Sequence, residues 1–469
     1  GNLGFTQAGR IEYALNNGCI NTDSIDNSAG VDCSDHEVNI KILLNSVLDK
    51  GDMTRKQRDL LLASMTDQVS ELVLENNYAQ NNAISMIKSE ALSVWPSLKQ
   101  LIMHLESSAH LDCALEKLPN DKDMQQRKVS GKGIMRPEIS VLLAYTKQLL
   151  KAALLEESEQ VNLQLYQSVL EDYFPQQLQT AYAEEIQTHR LGKEIAANQL
   201  INSLVNRLGI VFPYRFMDEL SCSAAELVNI YNLVCRVFDI DGLWKMQSEL
   251  DGEVSEQVLN DMKFTIRKWV ERAMYWFVRN EPMAEAAEHY VASIAELSAD
   301  LSHLVTENEQ KHIDKITDEL INEGVKAELA LRVGHINVLF SCLNAIKVQK
   351  ESNYSLQEMT TGLFYQASAL KLDWIQNQIL LLPKETSWEA LSRRAMLDEF
   401  HQVSCVLLKS VFNAEGANLT EKLAIWQEKY TIAIERYSDL IKSAEADEVV
   451  QLEQIVVILG ASWNMTSYA

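Results

Sequence analysis

Two short segments near the start of the chain hold residue types that could do chemistry. Asp26-Asn27-Ser28-Ala29-Gly30-Val31-Asp32-Cys33-Ser34-Asp35-His36-Glu37 is a tight loop opening a helix, and Gly1-Asn2-Leu3-Gly4-Phe5-Thr6 is a small-residue turn before it. Ser34 and Glu37 have the spacing of a capping box, in which the serine oxygen accepts from the amide at Glu37 while the glutamate reaches back to the amide of Ser34. A sharper reading starts from the same residues. Ala29 and Gly30 leave little steric cover, so bare amides at the helix start and the Ser34 hydroxyl could receive a carboxylate or a phosphate. Capping needs no ligand, and the local pattern admits both.

Asp32, Cys33, Asp35, His36 and Glu37 also carry metal-ligand side chains, with Asp32 and His36 four apart on one helical face. The chain offers no second ligand cluster, so an acidic first turn complementing the helix dipole accounts for them and no metal is expected. His36 as a general base has no assigned partner. Ser130-Gly131-Lys132-Gly133 lacks the upstream glycine and the following Ser or Thr of a phosphate loop. Phe238-Asp239-Ile240-Asp241-Gly242 has its glycine at the wrong offset for a calcium loop.

The elements that must position these residues are helices. Glycine and proline are scarce, 17 and 7 among 469 residues, and they cluster where elements end. The spacing predicts a short helix over 7–17 with Ile11, Ala14 and Leu15 inward, a brief strand at Cys19-Ile20-Asn21, and a helix over 34–50 with Val38 and Ile42 on its buried side and Leu43 and Leu44 as further candidates. Thr54 caps a long amphipathic segment over 55–75, another helix follows over 81–95, and Pro96 fits the first turn of its successor. Residues 118–133, with Pro119 and mixed charges, read as a linker. After Pro137, a stripe of Ile139, Leu142, Leu143, Thr146, Leu149, Leu150 and Ala153 marks a helix, and the pattern stays helical to the end with breaks near Gly324, Ser352, Pro383 and Gly416. Trp244, Trp269, Trp276, Trp374 and Trp426 fall on such stripes and read as core.

Composition narrows the function classes. A formal charge of −24, from 66 acidic against 42 basic side chains, repels phosphate backbones and anionic lipid surfaces, and there is no basic stripe. Neither nucleic acid nor a membrane is expected as a partner; no apolar run is read as approaching the ~20 residues that span a bilayer. Seven cysteines, odd in number, widely spaced and without a C-x-x-C pair, suit a reducing, cytoplasmic setting. A chain opening on Gly1-Asn2-Leu3-Gly4 without methionine reads as the middle of something longer.

The opening loop resembles the glutamate dehydrogenase superfamily, whose Asn-Ala-Gly-Gly-Val-x-x-Ser-x-x-Glu pattern aligns without a gap on Asn27 through Glu37. Asn27, Gly30, Val31, Ser34 and Glu37 match; Ser28 and Ala29 replace Ala and Gly. Gly1-Asn2-Leu3-Gly4-Phe5-Thr6 is similar to the superfamily's Gly-Ala-Asn-Gly-Pro-Thr turn, with Leu3 inserted and Phe5 in place of proline. The resemblance is closer to the very large NAD-specific glutamate dehydrogenases of bacteria. Arg10-Ile11-Glu12-Tyr13-Ala14-Leu15, Gly131-Lys132-Gly133-Ile134, Arg136-Pro137-Glu138, Leu142 through Lys147, Tyr173-Phe174-Pro175, His189-Arg190-Leu191 and Asn206-Arg207-Leu208-Gly209 continue it along most of the chain.

That resemblance implies a mainly α chain: the end of an α/β Rossmann domain followed by a large α-helical bundle region. Residues 1–50 would be the C-terminal edge of the NAD-binding catalytic domain, 51–118 a helical segment packing back on it, 119–136 a linker, and 137–469 an α-helical C-terminal domain. It implies an NAD-dependent oxidative deamination of L-glutamate to 2-oxoglutarate and ammonia, in a homo-oligomer. Ser34 would bind the side-chain carboxylate of glutamate and Val31 would line the substrate pocket. Asn27 would approach both nicotinamide and substrate, Gly30 would face the cofactor, and Asn2 would lie by the nicotinamide ribose.

The superfamily's catalytic lysines, its acid-base aspartate and its glycine-rich dinucleotide loop would all lie in an upstream catalytic portion of the same protein, so no catalytic residue is assigned in this chain. Residues 1–50 carry Arg10, Lys41 and Lys50 against seven acidic side chains, a poor surface for a dianion. The chain alone is expected to be inactive. Two other readings remain: a helical regulatory or assembly module, and a related dehydrogenase acting on another amino acid.

Overall fold

A computed structural model of the chain describes residues 3–281, 287–383 and 387–466. Every regular element among them is a helix, and the chain divides into two compact units, Gly1–Asn232 and Leu233–Ala469. The predicted strand at Cys19-Ile20-Asn21 does not form: these residues are irregular backbone. No strand among the described residues offers them a ladder, and Asn21 is instead buried in side-chain hydrogen bonds.

The first unit opens with α1 (Gln7–Leu15), the single turn α2 (Asp23–Asp26) and α3 (Ser28–Lys50). Thr6 caps α1 by accepting from the amide of Gly9. The expected helix start at Ser34 lies six residues too late, because α2 ends at Asp26 and Asn27 is at once its C-cap and the N-cap of α3. Gly51, with φ 83°, supplies the left-handed stop. Thr54 forms the expected cap, as a box with Gln57, but the segment it opens is two helices, α4 (Arg55–Ser64) and α5 (Thr66–Ser89), parted at Met65. Met65 is fully buried, and the bend turns its side chain into the core. The helix expected over 81–95 is the second half of α5.

Pro96 stands in the first turn of α6 (Trp95–Ser108). The stretch read as a linker holds α7 (Asp121–Val129), capped by Asn120 and Asp123, and buries Met124, Ile134 and Met135. A polar surface with good caps suffices for a short helix there. α8 (Arg136–Glu156) buries Ile139, Leu142, Leu143, Thr146 and Leu150 of the expected stripe and packs on α1, α5 and α6. α9 (Leu163–Asp172), α10 (Gln176–Ala181), α11 (Ala183–Gln187) and α12 (Gly192–Leu208) follow, then α13 (Val211–Leu220). α14 (Ala224–Phe238) contains the division between the units.

The second unit continues with α15 (Ile240–Ser248), α16 (Glu256–Asn280), α17 (Ala287–Leu304), α18 (Glu307–Asn322) and α19 (Ala327–Gln349). α20 (Leu356–Leu370), α21 (Leu372–Leu381), α22 (Ser387–Phe412), α23 (Leu419–Lys429), α24 (Thr431–Glu445) and α25 (Leu452–Trp463) complete it. The breaks fall where expected near Gly324, Ser352, Pro383 and Gly416. α19 corrects the reading that no apolar run is long enough to span a bilayer: its 23 residues qualify by length and composition. A large share of it, 72% of the apolar window, is buried inside the protein, against α16, α17, α18, α20 and α22. A helix surrounded by neighbours is apolar on every side. Gly334 lets α18 lie close, since a Cβ there would come 2.7 Å from Thr317 Oγ1.

The tryptophans behave as core residues to different degrees. Trp269, Trp276 and Trp426 are buried, while Trp244 and Trp374 are half-buried. Trp276 Nε1 donates to Asn344 Oδ1 at 2.9 Å, and Trp426 Nε1 to Ser410 Oγ at 2.7 Å. Those two buried indoles thereby keep their polar tips satisfied, whereas the Trp269 Nε1 is buried without a hydrogen-bond partner.

Candidate functional site

α3 is the platform of the site, and it is anchored from behind. Ile40, Leu43, Leu44 and Val47 in its second half enter a core with Leu170, Tyr173, Phe174, Leu178, Ile186 and Ile195. His36 points the same way. Its ring stacks on Tyr173 at 4.3 Å with an interplanar angle of 10°, and its Nε2 lies 3.8 Å from Asp32 Oδ1. Burial holds the His36 imidazole below its ordinary value, against the pull of Asp32 and Asp35. A histidine buried to 1% exposure behind the helix cannot reach a ligand on its outer face, which removes the general-base reading.

The first half of α3 is fastened by amides. Asn76 donates to Asp32 Oδ2 at 2.8 Å; Asn77 donates to Ile25 O at 3.1 Å and to Ser28 Oγ at 2.6 Å. With these contacts on one side, Asn27, Gly30, Val31 and Ser34 form a stripe on the other. Their spacings of three, four and seven are one helical face. All four are exposed, Val31 to 59%. Asn2 lies outside the described residues; next to it, the amide of Leu3 donates to Asp23 Oδ2 at 3.0 Å and ties the opening turn to α2.

The Ser34–Glu37 capping box does not form. Ser34 sits in the second turn of α3, where its hydroxyl donates to Gly30 O at 3.3 Å, and Glu37 pairs with Lys41. A hydroxyl bond this long can be exchanged by a rotamer turn for one to an incoming oxygen at a cost of about 1 kcal/mol. Gly30 has a local reason: a Cβ there would come 2.9 Å from Asn27 Oδ1, so the glycine makes room for the Asn27 carboxamide at the mouth of the helix. The stripe offers an amide, a hydroxyl, open backbone and an apolar surface. It holds no cation, and Asp26, Asp32, Asp35 and Glu37 lie around it. A dianion needs positive charge from elsewhere. Among the described residues, no three His, Cys, Asp or Glu side chains converge on a metal position.

A second set of residues, given no site role by the sequence reading, holds this face in place. Arg10 is buried and pairs with Asp23 and, at 3.4 Å, Asp26; its NH1 donates to Asn21 O at 2.7 Å. Asn21 donates through Nδ2 to Asp26 Oδ1 and to Asn81 Oδ1, both at 2.9 Å. Arg136, from the start of α8, donates to Asn21 Oδ1 at 2.9 Å, to Ser85 Oγ at 2.7 Å and to Asn81 Oδ1 at 3.2 Å. One local signal was available: Asn76, Asn77, Asn81 and Asn82 crowd poor helix formers into a helix, a cost that polar partners explain.

Comparison with known proteins places these parts. The family described as "Glutamate dehydrogenase, C-terminal" matches residues 131–461, and "Bacterial NAD-glutamate dehydrogenase, catalytic domain" matches residues 1–87. A protein of Pseudomonas aeruginosa named NAD-specific glutamate dehydrogenase is 34% identical over 452 residues, 95% of this chain and 28% of that protein. Proteins of the same name from Halomonas elongata and Mycobacterium tuberculosis are 33% and 32% identical, over 94% and 91% of this chain and 28% and 26% of their own lengths. The chain thus spans little more than a quarter of the relatives it matches. The exposed stripe and all but the last two residues of α5 fall in the catalytic-domain match, Arg136 in the C-terminal one, and the chain belongs to the glutamate dehydrogenase C-terminal family.

Proposed function

We propose that this chain forms part of an NAD-dependent glutamate dehydrogenase and contributes one wall of its glutamate and nicotinamide site. The whole protein would convert L-glutamate to 2-oxoglutarate and ammonia, in the cytoplasm and as a homo-oligomer. The observation that carries the reading is the exposed stripe Asn27, Gly30, Val31 and Ser34, at helical spacing within the segment matched to a bacterial NAD-glutamate dehydrogenase catalytic domain. Residues 1–50 are read as the end of its Rossmann domain.

The residues present fit one side of such a site. Gly30 leaves open backbone beside the Asn27 carboxamide, where a flat amide-bearing ring can approach without a Cβ in the way. NAD, when bound, supplies the hydride acceptor. Asn27 then orients the carboxamide side of the cofactor and the amino-acid end of the substrate. Val31 covers the substrate's methylenes and keeps water off that face. Ser34 turns its hydroxyl from Gly30 O to the side-chain carboxylate of glutamate. The cationic groups that neutralise the substrate and the groups that carry its protons belong to the upstream portion.

Ser34→Ala in the full-length protein is expected to raise the KM for glutamate and lower kcat/KM by about 10–100-fold, the worth of one hydrogen bond to a charged group. The KM for NAD should hold steady. Steady-state kinetics with each substrate varied would check this, and an unchanged glutamate KM would sink the assignment. The 469-residue chain alone is expected to form no NADH from glutamate. Turnover near that of the complete enzyme would overturn the division of labour between the two portions.

A further inference from the structure

We propose that Arg136 is a positioning residue for the dehydrogenase reaction, acting through Asn21 and Asp26 to fix Asn27 at the mouth of α3. The inference rests on the role given to Asn27 above. Its geometry is independent of that role. The guanidinium of Arg136 donates to three side chains on two different elements, Asn21 before α2 and Asn81 and Ser85 on α5. A planar group with donors on every edge can do this; an ammonium on a lysine stem cannot hold the same three directions.

The contact with Asn21 has a directional consequence. An asparagine carboxamide has one accepting end and one donating end. Because Arg136 takes the oxygen of Asn21, the Nδ2 group is turned toward Asp26 Oδ1 and Asn81 Oδ1. The flipped amide would set its oxygen against the Asp26 carboxylate and Asn81 Oδ1 and its NH2 against the guanidinium, three repulsions in place of three hydrogen bonds. Asn21 is only 6% exposed, so water does not substitute easily. Asp26 is the last residue of α2, and the next residue, Asn27, is the first of the exposed stripe. A side chain in the region matched to the C-terminal family thereby sets the orientation of the catalytic wall.

The test uses the full-length protein with Arg136→Lys, Asn27→Ala and the double variant. Arg136→Lys keeps the charge and loses the three-way geometry. It is expected to lower kcat by about 10-fold or more, since small misplacements of a reacting group weigh on the transition state, with the glutamate KM changed less than about twofold. Asn27→Ala should lower kcat as well, and adding Arg136→Lys to it should cost little more, because the two act along one line. Asn21→Ser, which removes the bridging amide and spares Arg136, should reproduce both results and serves if Arg136→Lys folds poorly. Multiplicative losses in the double variants, or a kcat per folded active site that stays at the wild-type value in Arg136→Lys and Asn21→Ser, would overturn the proposal and leave the role of Asn27 standing. No effect of Asn27→Ala alone would overturn the functional reading and this inference with it.

Discussion

Glu138→Ala is expected to destabilise the first unit by about 3–5 kcal/mol, the usual cost of stripping one partner from a buried ion pair. Glu138 is 0% exposed, and both its oxygens accept from the Arg127 guanidinium at 2.8 Å. Oε2 also accepts from the amide of Met135 at 2.7 Å, so the carboxylate caps α8 where the helix dipole favours negative charge. Alanine would leave a largely buried guanidinium without its anion and the buried amide of Met135 without an acceptor. Urea unfolding followed by tryptophan fluorescence would read the loss. A change below about 1 kcal/mol would mean that the pair merely breaks even with its desolvation, as some buried pairs do.

Lys147→Met should act in the opposite direction. The Lys147 ammonium nitrogen is buried in α8 without a hydrogen-bond partner, and burial pushes its pKa from 10.5 down to about 7. Between those values the unfolded chain holds a proton that the folded chain has shed, so stability rises with pH across that window and is flat below it. Methionine fills similar space without a charge. At pH 7 the variant should be more stable than the wild type by on the order of 2–4 kcal/mol, with each unit of pKa difference worth about 1.4 kcal/mol. The gap should close as the pH is raised toward 10. Thermal midpoints measured at pH 7, 8.5 and 10 would show it, and a gap that stays constant with pH would rule out titration of Lys147 as the cause.

What could be read from sequence followed from local rules. The Thr54 cap, the prolines at the first turns of α6 and α8, the α8 stripe and the breaks around Gly324 and Gly416 each depend on a few neighbouring residues. The misreadings share a different cause. Asp26-Asn27-Ser28-Ala29-Gly30 has the composition of a turn, so α3 was expected to wait until Ser34. In the fold, Asn77 bonds Ser28 and Ile25 from another helix and lets α3 begin early. The four stripe residues were legible as a set through the family pattern, whereas their shared face depends on that early start. Arg136, Asn21 and Asn81 were invisible as a network because they are 115 and 60 residues apart along the chain. The break at Met65 likewise answers a core that only tertiary packing creates.

The side-chain hydrogen bonds that join α2 and the start of α3 to α5 and α8 run between amides, a guanidinium and carboxylates. Such a seam behaves unlike an oily one when it parts. Once it parts, water that enters can take over the freed polar groups, whose own exposure does not raise the heat capacity. Ionic strength and competing hydrogen-bonders would be the stronger controls, since they act on charge and donors. The exposed stripe of α3 would thus sit on a fastening that solvent composition can loosen while the core behind α3 stays shut.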